Sequence, residues 1–149
     1  MSFQFRFATL LQIHCRARDE AGAEVGKANE AIGKIDEQTE SLMAERTAML
    51  EQATQARIGE VSIDSIVSQG RYDIQLQADM RTLRETRAKL EHELSRRQQR
   101  LIETEAEVKR YERLKENEWK LYRNEQQKRE QAESDESAAT RYLMERRKR

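Results

Sequence analysis

Apolar positions recur in alternating steps of four and three along two stretches of the chain. The first passes through Ala21, Val25, Ala28, Ile32, Ile35, Thr39, Leu42, Arg46, Met49, Ala53 and Ala56, nine of the eleven being apolar. The second passes through Leu76, Met80, Leu83, Arg87, Leu90, Leu94, Arg97, Leu101, Thr104, Val108 and Tyr111, eight of the eleven being apolar. Such spacing keeps side chains on one face of an α-helix, so each stretch predicts a long helix with a single apolar seam. The seams have equal length, so each can cover the other.

Between them lies RIGEVSIDSIVSQGRYD, with Gly59, Gly70 and the helix-capping candidates Ser62, Asp64 and Ser65. This is the expected reversal. The predicted fold is all-α: a long antiparallel two-helix coiled-coil hairpin with an overhanging C-terminal helix end, forming a single coiled-coil domain over 1–149. Helix one is expected at about 6–58, the reversal at about 59–70 and helix two at about 71–147. Ile58, Val61, Ile63, Ile66 and Val67 are expected to fold over the tip and close it. A hairpin turning near residue 64 sets Leu10 opposite Trp119 and Phe7 opposite Tyr122, and leaves roughly residues 125–147 without a helix-one partner. At 1.5 Å per residue each arm makes a rod about 80 Å long.

The seams differ in bulk, mostly Ala and Ile against mostly Leu, which favours interdigitation. Gly22, Gly26 and Gly33 follow seam residues, and two readings stand: close backbone approach, or local weakness of about 1 kcal/mol each. Arg46, Arg87 and Arg97 occupy seam positions. The default expectation is stems laid over the seam with heads in water; the alternative is that they fix register. Glu85–Lys89, Glu93–Arg97, Glu105–Lys109, Glu116–Lys120 and Glu125–Arg129 are spaced four apart for ion pairing along a helix.

Composition tightens this picture. Hydrophobic content is 36%, charged content 38%, with no proline, five glycines and a net charge of zero. Few apolar and many charged residues also suit disorder, but sustained heptads do not. Cys15 is the sole cysteine, which excludes an intrachain disulfide and suggests a reducing, cytoplasmic setting. There is no signal-peptide pattern and no apolar run of membrane-spanning length.

His14 and Cys15 are adjacent and diverge on a helix, so they do not ligate a metal jointly, and a solvated His14 is expected. Phosphate-binding loops, glycine-rich nucleotide fingerprints and nucleophile elbows are absent from the sequence. A two-helix rod offers no concave pocket to perturb carboxylates. No catalytic residue, cofactor or metal is expected, and the protein is read as a non-enzyme. The tail RYLMERRKR is basic and suits phosphates or an acidic surface, but such residues also complement a helix C-terminus. Zero net charge argues against a nucleic-acid partner.

All three phenylalanines, Phe3, Phe5 and Phe7, lie in the opening MSFQFRFATLL. The hairpin brings them to the aromatic stretch YERLKENEWKLY, residues 111–122. Leu114 and Leu121 stand one position before the next seam steps, which predicts a heptad shift there and places Trp119 in the core. Phe7 is expected to plug this end and Phe3 to dock a partner.

Here a resemblance enters. FQFRFATLLQIHCRARDEA is similar to the start of the FliJ family of flagellar type III export proteins, which open on an F-x-F-R-like segment and a Leu-Leu pair. YERLKENEWKLYRNEQQKREQAESDESA resembles the family's C-terminal region, with Leu114, Tyr122, Glu125, Arg129, Glu130, Gln131, Asp135 and Glu136 at matching places. The chain departs at Ala132, where the family pattern has lysine, and at Ser134 and Ser137. The resemblance implies a rod similar to the central stalk of rotary ATPases. Such a rod inserts into the export ATPase hexamer, stimulates it, links it to the cytoplasmic domain of the export gate membrane protein, and handles export chaperones. It implies a cytoplasmic location, peripheral at the flagellar base, without membrane insertion. The partner-binding residues expected are Phe3, Phe5, Phe7 and the eight C-terminal positions. Two rivals stand beside this reading: a homodimeric coiled-coil spacer built from extended chains, and a small helical chaperone of another pathway.

Overall fold

A computed structural model describes residues 2–149. Among these the chain forms two helices, α1 (Ala8–Ala56) and α2 (Ile63–Arg147), packed against each other as a helical hairpin. Their contacts fall into two units: a terminal unit, up to Arg18 together with Glu103–Arg149, and a hairpin unit, Asp19–Ile102.

In the hairpin unit α1 ends at Ala56, where the Ile58 amide turns back to donate to the Gln55 carbonyl at 3.2 Å. Gly59 then takes φ 132°, a left-handed conformation open to a residue without Cβ. The Ile66 amide donates to the Ser62 carbonyl at 3.2 Å, and Asp64 places a carboxylate in the first turn of α2. The reversal is thus shorter than the expected 59–70, and α2 starts at Ile63 rather than near 71. Gly70 lies within the helix, because a penalty of about 1 kcal/mol does not end a helix that continues on both sides. The expected closed tip is not formed: Ile58 is 85% and Ile63 77% exposed, Ile66 and Val67 are also exposed, and Val61 alone of the five is half-buried. The short connection is used up in turning, and Ile63, Ile66 and Val67 already belong to α2.

The seams fall where the periodicity puts them. Every expected α2 position from Leu76 to Tyr111 is buried or half-buried, as is every α1 position except Ala56. Ala21, Ala28 and Ala53 are the buried positions of α1, and Leu76 is buried on α2, so small side chains on one helix admit large ones from the other. A Cβ on Gly22 would sit 3.9 Å from Leu101 Cδ1, an ordinary contact, whereas Gly26 and Gly33 face open space. Close approach therefore applies to Gly22, and local weakness to the other two.

The seam arginines do more than lie in water. Arg46 Nε donates to Asp73 Oδ1 at 2.6 Å, and Asp73 Oδ2 accepts from Gln77 Nε2 at 2.8 Å. Arg87 Nε donates to Asp36 Oδ1 at 2.7 Å and also pairs with Glu91. Arg97 donates to the Glu24 backbone carbonyl at 2.8 Å and to Glu93 at 3.0 Å. Each arginine reaches the opposite helix, so cross-helix partners are added to stems laid over the seam, with the heads still partly in water. The hydrogen bond from Arg46 holds the Asp73 carboxyl below its ordinary range, with partial burial opposing. Of the five expected pairs along α2, Glu93–Arg97 and Glu116–Lys120 close, at 3.0 and 2.8 Å.

In the terminal unit residues 2–5 have no regular structure and residues 6–7 form a turn. The Ala8 amide donates to the Phe5 carbonyl at 3.2 Å and the Leu11 amide to the Phe7 carbonyl at 2.9 Å, so the opening leads into α1 as a turn despite its strand-like alternation. The α1 seam continues backward through Arg18, His14, Leu11 and Phe7, all half-buried. On α2 the half-buried line runs on from Tyr111 to Glu118, Tyr122 and Gln126. The expected heptad shift does not occur: Leu114 and Leu121 are 40% and 66% exposed, because the seam passes beside them. From Gln127 to the end every residue is exposed.

Candidate docking site

The site begins with the turn before α1, which lays three phenylalanines over α2. Phe5 is the buried one, 8% exposed, with its ring edge-on to Phe7 at 5.9 Å between centroids. Phe7 also meets Tyr111 at 6.3 Å, and the Arg6 guanidinium lies 4.5 Å over the Phe7 ring, a cation–π contact. Phe3 packs edge-on to Trp119 at 5.4 Å and tilted on Tyr122 at 5.6 Å, while Trp119 and Tyr122 stack at 5.9 Å. Such offset and edge-on pairs add about 0.5–1.5 kcal/mol each to simple burial.

Three expectations change here. The buried phenylalanine is Phe5, whereas Phe7, expected to plug this end, is half-buried. Phe7 meets Tyr111 rather than Tyr122, and Phe3 takes the place expected of Leu10 beside Trp119, because the chain turns nearer residue 60 than 64. Trp119 is 45% exposed rather than core, since Glu118 and Tyr122 carry the seam and leave the indole at its edge. Its ring contacts are Phe3 and Tyr122.

Tyr111 belongs to the cluster as part of the expected aromatic stretch, and His14 joins it unexpectedly. The imidazole stacks on the Tyr111 ring at 4.8 Å and 23°, so His14 is half-buried rather than solvated. Its signal is present in the sequence: stepping back from Ala21 by three and four reaches Arg18, His14, Leu11 and Phe7. Cys15, next to it, is a half-buried free thiol, and no group of three metal-binding side chains occurs among the described residues.

The eight C-terminal positions do not form one surface. At 100° per residue Leu114, Tyr122, Glu125, Arg129 and Glu136 fall within an arc of about 80° on α2. Glu130 lies outside it. Gln131 and Asp135 lie on the other side and satisfy each other, Gln131 Nε2 donating to Asp135 Oδ1 at 2.9 Å. Leu121, about 20° beyond the Leu114 edge of that arc, was not among the expected residues, although it follows Leu114 by one heptad. Close by, the hydrogen bond from Lys120 holds the Glu116 carboxyl below its ordinary range.

Fold and site together define a coiled-coil hairpin protein that presents aromatic and charged side chains along its helices. Comparison with known families makes this specific. The family model for FliJ, described as flagellar FliJ protein, matches residues 3–147, and the chain belongs to that family. The family consists of non-catalytic flagellar export proteins, which makes the chain a component of the flagellar export apparatus. No curated protein and no solved structure gives a significant match. Among the described residues no helix is long and apolar enough to cross a membrane.

Proposed function

We propose that this protein acts as a central-stalk-like coiled coil that binds the export ATPase hexamer and stimulates its hydrolysis. In this reading it docks through Phe3, Trp119 and Tyr122 together with the face carrying Leu114, Leu121, Glu125, Arg129 and Glu136. It links the ATPase to the cytoplasmic domain of the export gate membrane protein, escorts export chaperones, and works in the cytoplasm at the flagellar base.

One observation carries the proposal: a partly exposed aromatic cluster adjoins a helix that is exposed from Gln127 to its end. Tryptophan, tyrosine and arginine dominate interface hot spots. The helix is already nucleated by its packed part, so it meets a partner without the cost of initiating a helix. The homodimeric spacer needs each chain to be extended and its seam open to a second copy; here each seam is filled by the other helix of the same chain. Measuring ATP hydrolysis by the cognate export ATPase with increasing amounts of this protein tests the proposal. Stimulation that saturates supports it, and its absence at micromolar concentrations sinks it.

A further inference from the structure

The basic stretch RYLMERRKR, residues 141–149, takes no part in the ATPase-docking face. It holds five cations, Arg141, Arg146, Arg147, Lys148 and Arg149, against one acid, Glu145. The whole stretch is exposed, and none of its cations makes an ion pair among the described residues. Tyr142, Leu143 and Met144 stand among them at 64%, 59% and 61% exposure. We infer that these last turns of α2 adsorb to the surface of an anionic lipid membrane, with Tyr142 and Leu143 at the headgroup level and arginines on the lipid phosphates.

Helical geometry gives these turns one suitable side. At 100° per residue, Ala139, Tyr142, Leu143, Arg146, Arg147 and Arg149 fall within an arc of about 160°, and Glu145 lies outside it. Tyr142, Arg146 and Arg149 also line one cleft together with Glu145. The opposite helix brings no acid here, because the half-buried line on α2 ends at Gln126. Arg146 follows the next acid upstream, Glu136, by about 15 Å along the helix, more than the screening length of about 8 Å at physiological salt. The surplus therefore stands, although the chain as a whole is neutral. Asp135 and Glu136 share the arc but precede it along the helix, and an anionic surface repels them. Contact is thus confined to the last turns.

Cations in the last turn also complement the helix dipole, but that role asks nothing of Tyr142 and Leu143. A nucleic-acid backbone or a run of acidic side chains would pair with the arginines and leave Leu143 in water. A bilayer interface accepts both kinds of residue. Tyrosine sits at headgroup level, leucine enters the acyl boundary, and each cation near an anionic surface strengthens binding by about fivefold. Among the described residues no helix is long and apolar enough to cross a membrane, so the contact is one of surface. The inference uses no residue of the ATPase-docking face, and its test needs no ATPase.

The test is co-sedimentation of the full chain with vesicles of phosphatidylcholine, with and without phosphatidylglycerol. The expected result is saturable binding to the anionic vesicles alone, weakening with added salt. Binding falls by roughly a hundredfold in Arg146→Gln/Arg147→Gln/Arg149→Gln and by roughly tenfold in Tyr142→Ser/Leu143→Ser. Arg57→Gln/Arg81→Gln/Arg84→Gln, which removes as many exposed cations elsewhere, leaves it unchanged, and circular dichroism verifies that every variant stays helical. No binding to anionic vesicles, equal binding to neutral ones, or undiminished binding by either tail variant overturns the proposal. Polyglutamate or single-stranded DNA that binds more tightly than the vesicles through the same arginines also overturns it, by assigning the tail to an acidic protein or to a nucleic acid.

Discussion

Replacing Phe5 by alanine separates what holds the terminal unit together from what it offers to others. Phe5 is 8% exposed, whereas Phe3 is half-buried on Trp119 and Tyr122. Phenylalanine-to-alanine changes in well-packed cores cost about 3–5 kcal/mol, combining lost transfer energy with the cavity left behind. Phe5 sits in a turn before α1, where Phe7 at 5.9 Å can move in to fill part of the space. The low end, about 3 kcal/mol, is therefore expected, including the edge-on ring pair at about 1 kcal/mol. The Phe5 carbonyl still accepts from Ala8, so the loss reports the side chain alone. Chemical denaturation gives the free energy, and hydrogen exchange locates it: amides in the first turns of α1 lose protection in Phe5→Ala. Phe3→Ala is expected to cost about 2 kcal/mol, from partial burial of the ring plus its two ring pairs with Trp119 and Tyr122. Equal costs for the two variants, or a loss below about 1 kcal/mol for Phe5→Ala, would refute Phe5 as the plug.

Other consequences follow from the hairpin unit. Gly26→Ala and Gly33→Ala place a Cβ in open space, so each is expected to raise stability by about 0.5–1 kcal/mol in a denaturant titration. Gly59→Ala is expected to lower it by about 1 kcal/mol or more, because φ 132° disfavours any residue with a Cβ. The folded Asp73 carboxyl titrates below its ordinary 3.8, so its contribution is fully present above that pH and disappears as pH falls through the lowered value. The stability difference between wild type and Asp73→Asn is accordingly expected to shrink below about pH 4 in a pH series of denaturation curves; a difference constant down to pH 2 would contradict the Arg46–Asp73 assignment.

The two-helix fold and its seams were legible because heptad spacing is a strong, redundant signal: an error at Thr39 or Arg46 leaves the other positions in phase. Helix ends were not, since Gly70 looks like a break and Ser65 like a later cap, but neither outweighs propagation through α2. That eight-residue difference at the reversal moved the register and with it the partners of Phe3 and Phe7. The buried plug was hidden because Phe3, Phe5 and Phe7 are chemically alike in sequence, and the turn at residues 6–7 decides which one points inward. The seam arginines illustrate another limit. Their spacing places the stems on the seam, but only the folded positions of Asp73, Asp36 and Glu24 on the opposite helix show which partners the heads find. At the C-terminal end, the family resemblance placed Gln131 and Asp135 beside Arg129 as candidates, while helical geometry puts them on another side and pairs them with each other.

The central claim is that the exposed aromatic edge docks the export ATPase, and hydrolysis by that enzyme measures it directly. Phe3→Ala/Trp119→Ala leaves Phe5 and the seam in place, so the variant is expected to stay helical and folded. The account predicts that wild-type protein stimulates hydrolysis saturably and that the double variant needs at least roughly tenfold more protein for the same effect, as for loss of two hot-spot rings. Stimulation by the folded variant at wild-type concentrations would contradict the account.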